Sequence, residues 1–424
     1  STVSGSDVMS KTFQSFWQLS DGQINFSDDW PNLEALTAIV QTDDENIDIT
    51  VESGRSLGLQ FESAVGQVRR DADSQNWLTV FGSAFGEASD ALEYLQTAPV
   101  DEGLKDVLSS WKSQGSVAGD LSLLVPLDRP DRDSEVRLEL ELEDNDLTIS
   151  DYNLDLNQLS GSIIFDSETG FEPTELNGFL FGGMVNATLS SVQEQGELAT
   201  IVVEGEGMTS PQAMIEWPQQ GEFVRGLLAK MDGDFAYEAA IRINQVAAQD
   251  SGSQLEIRSD LLGVAMDLPF PFGKDSASAT PLDLQFQFEE GRQETLGSLG
   301  EDLRFTVSQV EDEPTRGLLM LGRRDVSLDS LSENLPPGLV VLGHLERFEL
   351  ESWVNFISGM PGRGQPNSNL DQMIAFADVQ ADVFSLYGED LPQVGFRIAP
   401  SPFDSGWVAR FTSEAIQGQA IIPY

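Results

Sequence analysis

Cysteine is absent from all 424 residues, which excludes disulfides, thiolate metal sites and a cysteine nucleophile. Histidine is almost absent. His344 stands alone, so a histidine-rich metal site cannot exist, and any Ser-His-Asp arrangement would need that one ring. It lies in the alternating run LGHLERFEL and reads as an ordinary strand histidine. Cations are scarce as well: 23 Lys plus Arg face 71 Asp plus Glu, a net charge of -48. Nucleic acid is thereby excluded as a partner, because phosphates would be repelled and the pairs Arg69-Arg70 and Arg323-Arg324 are too isolated to form a basic patch. No apolar run reaches the roughly 18 residues of a membrane helix. Ser1 opens without a signal-peptide pattern, and the chain reads as a segment of a longer one or a processed product.

Motifs for chemistry are missing too. Gly182-Gly183 has no Lys-Ser or Lys-Thr after it, so it is not a phosphate loop. The acidic pieces Thr42 to Asn46 and Asp128 to Asp133 lack the spacing of an EF-hand. With 71 acids, some carboxylate pair will be close by chance, so a glycosidase-like pair carries no specificity. The chain is read as a non-enzyme with no cofactor and no metal.

What is present is period-two alternation. In EVRLELELEDNDLTISDYNLDLNQLSGSIIFD, Val136, Leu138, Leu140 and Leu142 alternate with Arg137, Glu139, Glu141 and Glu143. Asp144-Asn145-Asp146 reads as a turn, after which Leu147, Ile149, Leu154 and Leu156 restart the pattern. One strand face is apolar and the other wet. The acids, spread along the chain as outer strand residues, fit a solvated surface suited to high salt better than a cation store. At seawater-like ionic strength the screening length falls to about 4 Å.

In chain order, residues 12 to 95 carry short strands broken by Asp21-Gly22 and Trp30-Pro31, with Leu57, Leu59 and Phe61 alternating and a strand from Trp77 to Phe81. Glu87 to Trp111 has helical spacing in two pieces around Pro99, with Asp101 as N-cap of the second. Helices there are expected to cover a sheet edge, with capping of a groove as the alternative. Strands return from Gly119. Two short helices are expected near 210 to 230, with Ser210 as N-cap and Pro211 at the first helical position. From Gly233 the plan repeats, with Leu255 and Ile257, a turn at Asp250 to Gly252, then Leu282, Leu284, Phe286 and Phe288 alternating. Trp353 to Ile357 reads as a helical turn and Gly359 to Asn369 as a loop. The divisions are 1-118, strands plus two short helices; 119-231, a β-groove repeat with short helices; and 232-424, a second repeat with further strands.

Several blocks, taken in order, resemble the YhdP family of AsmA-like proteins of Gram-negative bacteria. They are INFSDDWPNL, TAPVDEGLKDVLSSWKSQGSVAGDLSLLVPL, LTISDYNLDLNQLSGSIIFDSETGFEPTELNGFLFGG and SDLLGVAMDLPFPFGKDSASATPLDL, then RGLLMLG, GLVVLGHLERFELESW and GWVARFTSEAIQGQAIIP. The resemblance spans nearly the whole chain and corresponds to the family's central to C-terminal periplasmic part. It implies a bridge-like lipid transporter, anchored in the inner membrane by a helix outside this chain, whose repeating β-groove conducts phospholipid acyl chains through the periplasm towards the outer membrane. No catalytic residues follow from it.

The expected fold is therefore mainly β: an elongated, curled antiparallel β-sheet groove with a few short α-helices. About 25 strands spaced about 4.8 Å apart would run on the order of 120 Å. The residues expected to line the groove are Val136, Leu138, Leu140, Leu142, Leu147, Ile149, Leu154, Leu156, Leu255, Ile257, Leu282, Leu284, Phe286 and Phe288. The competing reading is a structural or adhesive β-solenoid or sandwich without lipid function, in which the same residues form a closed core.

Overall fold

The computed structural model describes residues 13–25, 30–72, 74–98, 102–128, 134–194, 197–217, 222–244, 252–289, 291–322, 335–358, 374–400, 406–414 and 417–423. The expected Asp101 cap, residues 129 to 133 of the charged turn, the turn residue Asp250 and the loop from Gly359 to Asn369 fall outside these. Among the described residues the fold is mainly β, with 24 strands in one sheet and a separate two-stranded sheet. By residue contacts the chain divides into two compact units, Ser1–Gly178 with Thr188–Ile201, and Phe179–Ala187 with Val202–Tyr424.

In the first unit the strands follow one another as an antiparallel meander. They are β1 (Gln14–Ile24), β2 (Leu33–Asp43), β3 (Asn46–Ser56), β4 (Leu59–Arg70) and β5 (Asn76–Glu87). Then come α1 (Ala88–Thr97), α2 (Glu102–Ser109), β6 (Trp111–Gln114), β7 (Ser116–Pro126), β8 (Glu135–Ile149) and β9 (Leu154–Asp166). Further along the chain are β10 (Gly170–Phe171), β11 (Thr174–Leu180), β12 (Gly183–Glu194) and β13 (Glu197–Thr209). β5 pairs with β7 across the helical insertion, and β8 pairs with β7, β6 and β9. Leu57 is not part of the alternating strand. It and Gly58 form the β3–β4 turn with φ 47° and 89°, the double left-handed geometry that suits a two-residue hairpin.

Asp144-Asn145-Asp146 is not a turn either, because β8 runs through it unbroken. The register shifts between Leu142 and Leu147, and Asp144 takes φ 55°, which makes the site a β-bulge. Glu143 and Asp144 are both exposed, and burial resumes at Asn145, Leu147 and Ile149. β9 does the same at Gln158, φ 52°. The bulges at Asp21 in β1, Ala35 in β2 and Ser63 in β4 complete a set of mid-strand irregularities, each adding local bend and twist.

The second unit contains α3 (Pro211–Ile215), α4 (Glu222–Leu228) and the paired β14 (Met231–Asp232) and β17 (Ala265–Met266). Ser210 caps α3 as expected: its hydroxyl accepts from the Ala213 amide at 3.2 Å, with Pro211 in the first turn. The main strands are β15 (Phe235–Asn244), β16 (Ser253–Ser259), β18 (Leu282–Glu289), β19 (Arg292–Leu299), β20 (Leu303–Val310), β21 (Arg316–Leu321) and β22 (Gly338–Glu349). After α5 (Leu350–Ser358) come β23 (Ile374–Leu386), β24 (Glu389–Pro400), β25 (Gly406–Thr412) and β26 (Gln417–Pro423).

Most strand pairs are antiparallel, as expected, and the sheet is mixed because β21–β22 and β22–β23 are parallel. A parallel pair needs a crossover, and α5 lies in the second of them. Both faces are covered at this point. Leu318, Met320 and Val340 pack with Leu342 and Phe376 on one side, while Leu321, Val341, Leu345, Val379 and Ala381 pack together on the other. That is why RGLLML and GLVVL are continuous apolar runs rather than alternating ones.

Candidate functional site

The apolar face of the first unit is assembled row by row from the register. Val136 pairs with Leu123, and Leu138 lies between Leu121 and Phe165. Leu140 lies between Gly119 and Ile163, and Leu142 between Val117 and Gly161. Past the bulge, Leu147 pairs with Leu156 and Ile149 with Leu154. Val136, Ile149 and Leu154 are buried; Leu138, Leu140, Leu142, Leu147 and Leu156 are half-buried.

α1 lies on this face, not along a sheet edge. Ala88 and Ala91 pack with Leu59 and Val117, and Ala98 just beyond the helix packs with Trp30, Leu78, Leu123, Val125 and Val136. Tyr94 touches both clusters, with its ring centroid 6.4 Å from Trp30 and 6.4 Å from Phe61. Between the two packed ends is a partly open apolar cavity, with about 630 Å³ of space outside protein atoms when the solvent that enters it is counted. Its walls are Trp30, Leu59, Phe61, Ala84, Val117, Gly119, Leu121, Val136, Leu138 and Leu140, and its roof is Ala91, Tyr94, Leu95 and Ala98. No charged side chain lines it. Burial pushes the Tyr94 phenol up to about 12, so the ring stays neutral at any physiological pH. Gly119 sets the floor: a Cβ there would come within 2.5 Å of the Glu139 carbonyl oxygen and 2.7 Å of Leu140 Cδ2.

In the second unit Leu255 pairs with Ile241 and Phe286, and Ile257 with Ala239 and Leu284. Leu282 sits between Ser259 and Leu299, and the Phe286 and Phe288 rings stack with centroids 6.2 Å apart. Part of this face is covered by the segment after β16. Leu261, Val264 and Met266 pack with Phe235 and Tyr237, and Ile257 and Leu282 join that cluster. The segment is held by Lys274, whose Nζ donates to the carbonyls of Leu261 (2.8 Å), Val264 (2.5 Å) and Ser278 (2.7 Å). Ile257 and Leu282 are half-buried against this cluster. Leu284 and Phe286 are half-buried without being assigned to it.

His344 is a strand residue of β22, its Nε2 2.9 Å from Asp382 Oδ1. Among the described residues no group of three or more His, Asp or Glu is placed to hold a metal. The Asp302 carboxyl is raised by burial and by the charge of Glu346, and it does not line the apolar cavity. No helix among the described residues is long and apolar enough to cross a membrane.

The family model described as YhdP protein matches residues 4–424. The chain belongs to the YhdP family. No curated protein and no solved structure matches it. For this YhdP-family chain, sequence reasoning found one wall of the cavity, Val136, Leu138 and Leu140, and missed the rest. Leu59, Phe61 and Leu121 carried the same alternation signal. Trp30, Tyr94, Leu95 and Ala98 did not, because they reach the site from a loop and a helix that only the fold brings onto the sheet.

Proposed function

We propose that this chain is a periplasmic segment of a bridge-like lipid transporter that carries phospholipid acyl chains along the apolar face of its sheet between inner and outer membranes. In this reading a helix outside the present chain anchors the protein in the inner membrane. The observation that carries it is the cavity under α1, which offers only apolar side chains, glycine and the Tyr94 ring. Each CH₂ moved from water onto such a wall gains about 0.8 kcal/mol, so a tail of about 16 carbons would favour it by on the order of 10 kcal/mol. The wall makes no directional bonds, which lets a chain slide. Headgroups stay outside the apolar surface, in water. Membership of the YhdP family and the size of the open-ended sheet support the same reading.

The locally closed cluster around Val264 favours a second reading, a purely structural β-protein whose apolar face is core. Extraction and mass spectrometry of lipid from the purified chain, with a photo-crosslinking residue at Leu140 or Leu284, separates the two. Phospholipid attached at both positions is the expected result. Absence of lipid, with both positions crosslinking only to protein, would establish the structural reading.

A further inference from the structure

Resting on the lipid reading, we infer that the cavity under α1 is a selective site for a single unbranched acyl chain, with Ala84 as the floor residue that sets its width. The argument begins with how α1 is held. One end is fixed through Ala88 and Ala91 against Leu59 and Val117, and the other through Ala98 against Trp30 and Leu123. A roof fixed at both ends cannot rise in the middle without breaking one of those clusters. The space between roof and floor is therefore set by side-chain size.

On the floor, Ala84 pairs directly with Gly119 and with Phe61, so two small residues of the neighbouring strands β5 and β7 meet beneath the helix beside one large ring on β4. Gly119 cannot carry a side chain, given the backbone oxygen 2.5 Å from where its Cβ would stand. Ala84 lines the space beneath the helix, so a larger side chain there would take up part of it. Walls without a charge or a hydrogen-bonding pair exclude a headgroup. What fits is a hydrocarbon chain alone. Methyl branches widen such a chain along its whole length, and apolar pockets resolve one extra methyl by roughly tenfold or more.

The test uses the whole chain with a photo-crosslinking residue at Leu140, in the cavity, or at Phe286, on the sheet face of the other unit. Dipalmitoyl phosphatidylcholine and diphytanoyl phosphatidylcholine, which share a headgroup and backbone length and differ in methyl branching, are offered in mixed micelles. Labelling at position 140 is expected to favour the straight chain by at least roughly tenfold, with little preference at position 286. Ala84→Leu is expected to abolish labelling at 140 and spare 286, whereas Thr79→Leu, on the opposite face of β5, changes neither. Equal labelling of both lipids at 140 would overturn the inference while leaving the lipid reading standing. No labelling anywhere in the unsubstituted chain would instead sink the lipid reading itself. If Ala84→Leu fails to fold, judged by its melting curve, the comparison of the two lipids in the unsubstituted chain still decides.

Discussion

Asn145 shows what one side chain does to keep a strand continuous. It is 1% exposed, its Nδ2 donates to the carbonyls of Gln114 (3.3 Å) and Ser116 (3.1 Å), and its Oδ1 accepts from the Glu143 amide at 2.9 Å. The bulge leaves backbone groups without ladder partners, and this amide supplies them. Asn145→Ala would remove three hydrogen bonds to the backbone and is expected to cost about 1–3 kcal/mol in urea denaturation; an unchanged midpoint would mean the bulge is held by its backbone alone. Asp390 gives a pH-dependent case. The Arg347 guanidinium, bidentate at 3.0 and 3.1 Å, together with the Ser385 hydroxyl, holds its carboxyl below the usual carboxylate range. The folded pKa lies below the unfolded one, so the stabilisation is complete above about pH 4–5 and is lost as pH falls through the lowered value. Thermal melts at about pH 7 and pH 3 should therefore show a smaller drop for Asp390→Asn than for the unsubstituted chain, and an equal drop would assign acid sensitivity to other carboxylates.

At the scale of the element, strands and helices were legible because each is a local period: two for Val136 to Leu142, three to four for Ala88 to Leu95. Asp21-Gly22 and Asp144-Asn145 were misread because the residues that favour a left-handed turn also favour a left-handed bulge, and only a partner strand on both sides distinguishes the two. The bulge sets the register of everything after it. Deleting Asp144 would move either Asn145 to Ile149 or the preceding leucines to the wet face, since a slip of one residue inverts a strand. The expected outcome is an aggregating chain that binds a hydrophobic dye; a soluble variant with native melting would show that β8 can re-pair without the extra residue.

For the whole molecule the dominant number is the net charge of -48. Self-repulsion opposes folding and is screened by salt, whereas the exposed ion pairs that salt also weakens, such as Arg397–Asp378 at 2.9 Å, are each worth little. Repulsion is the larger effect, so the melting temperature is expected to rise from about 20 mM to about 500 mM NaCl. A flat or falling curve would show that the carboxylates are neutralised locally. The charge has a second consequence: with the acids on the wet face, the lipid contact of the proposed function falls to the apolar face, where the candidate site is.

The sequence by itself determined the strand content, the two-sided character of strands such as β8, the two helices before β6 and the absence of disulfides and of a histidine-rich metal site. Each of these depends on neighbours a few residues apart. Tertiary structure alone decided that β22 runs parallel to both neighbours, that α1 lies on the apolar face, and that Trp30 and Tyr94 meet Leu138 and Leu140 around one cavity. Those outcomes turn on contacts between residues tens of positions apart, where many pairings would bury similar apolar area, and the assembled sheet with its bulges selects one of them.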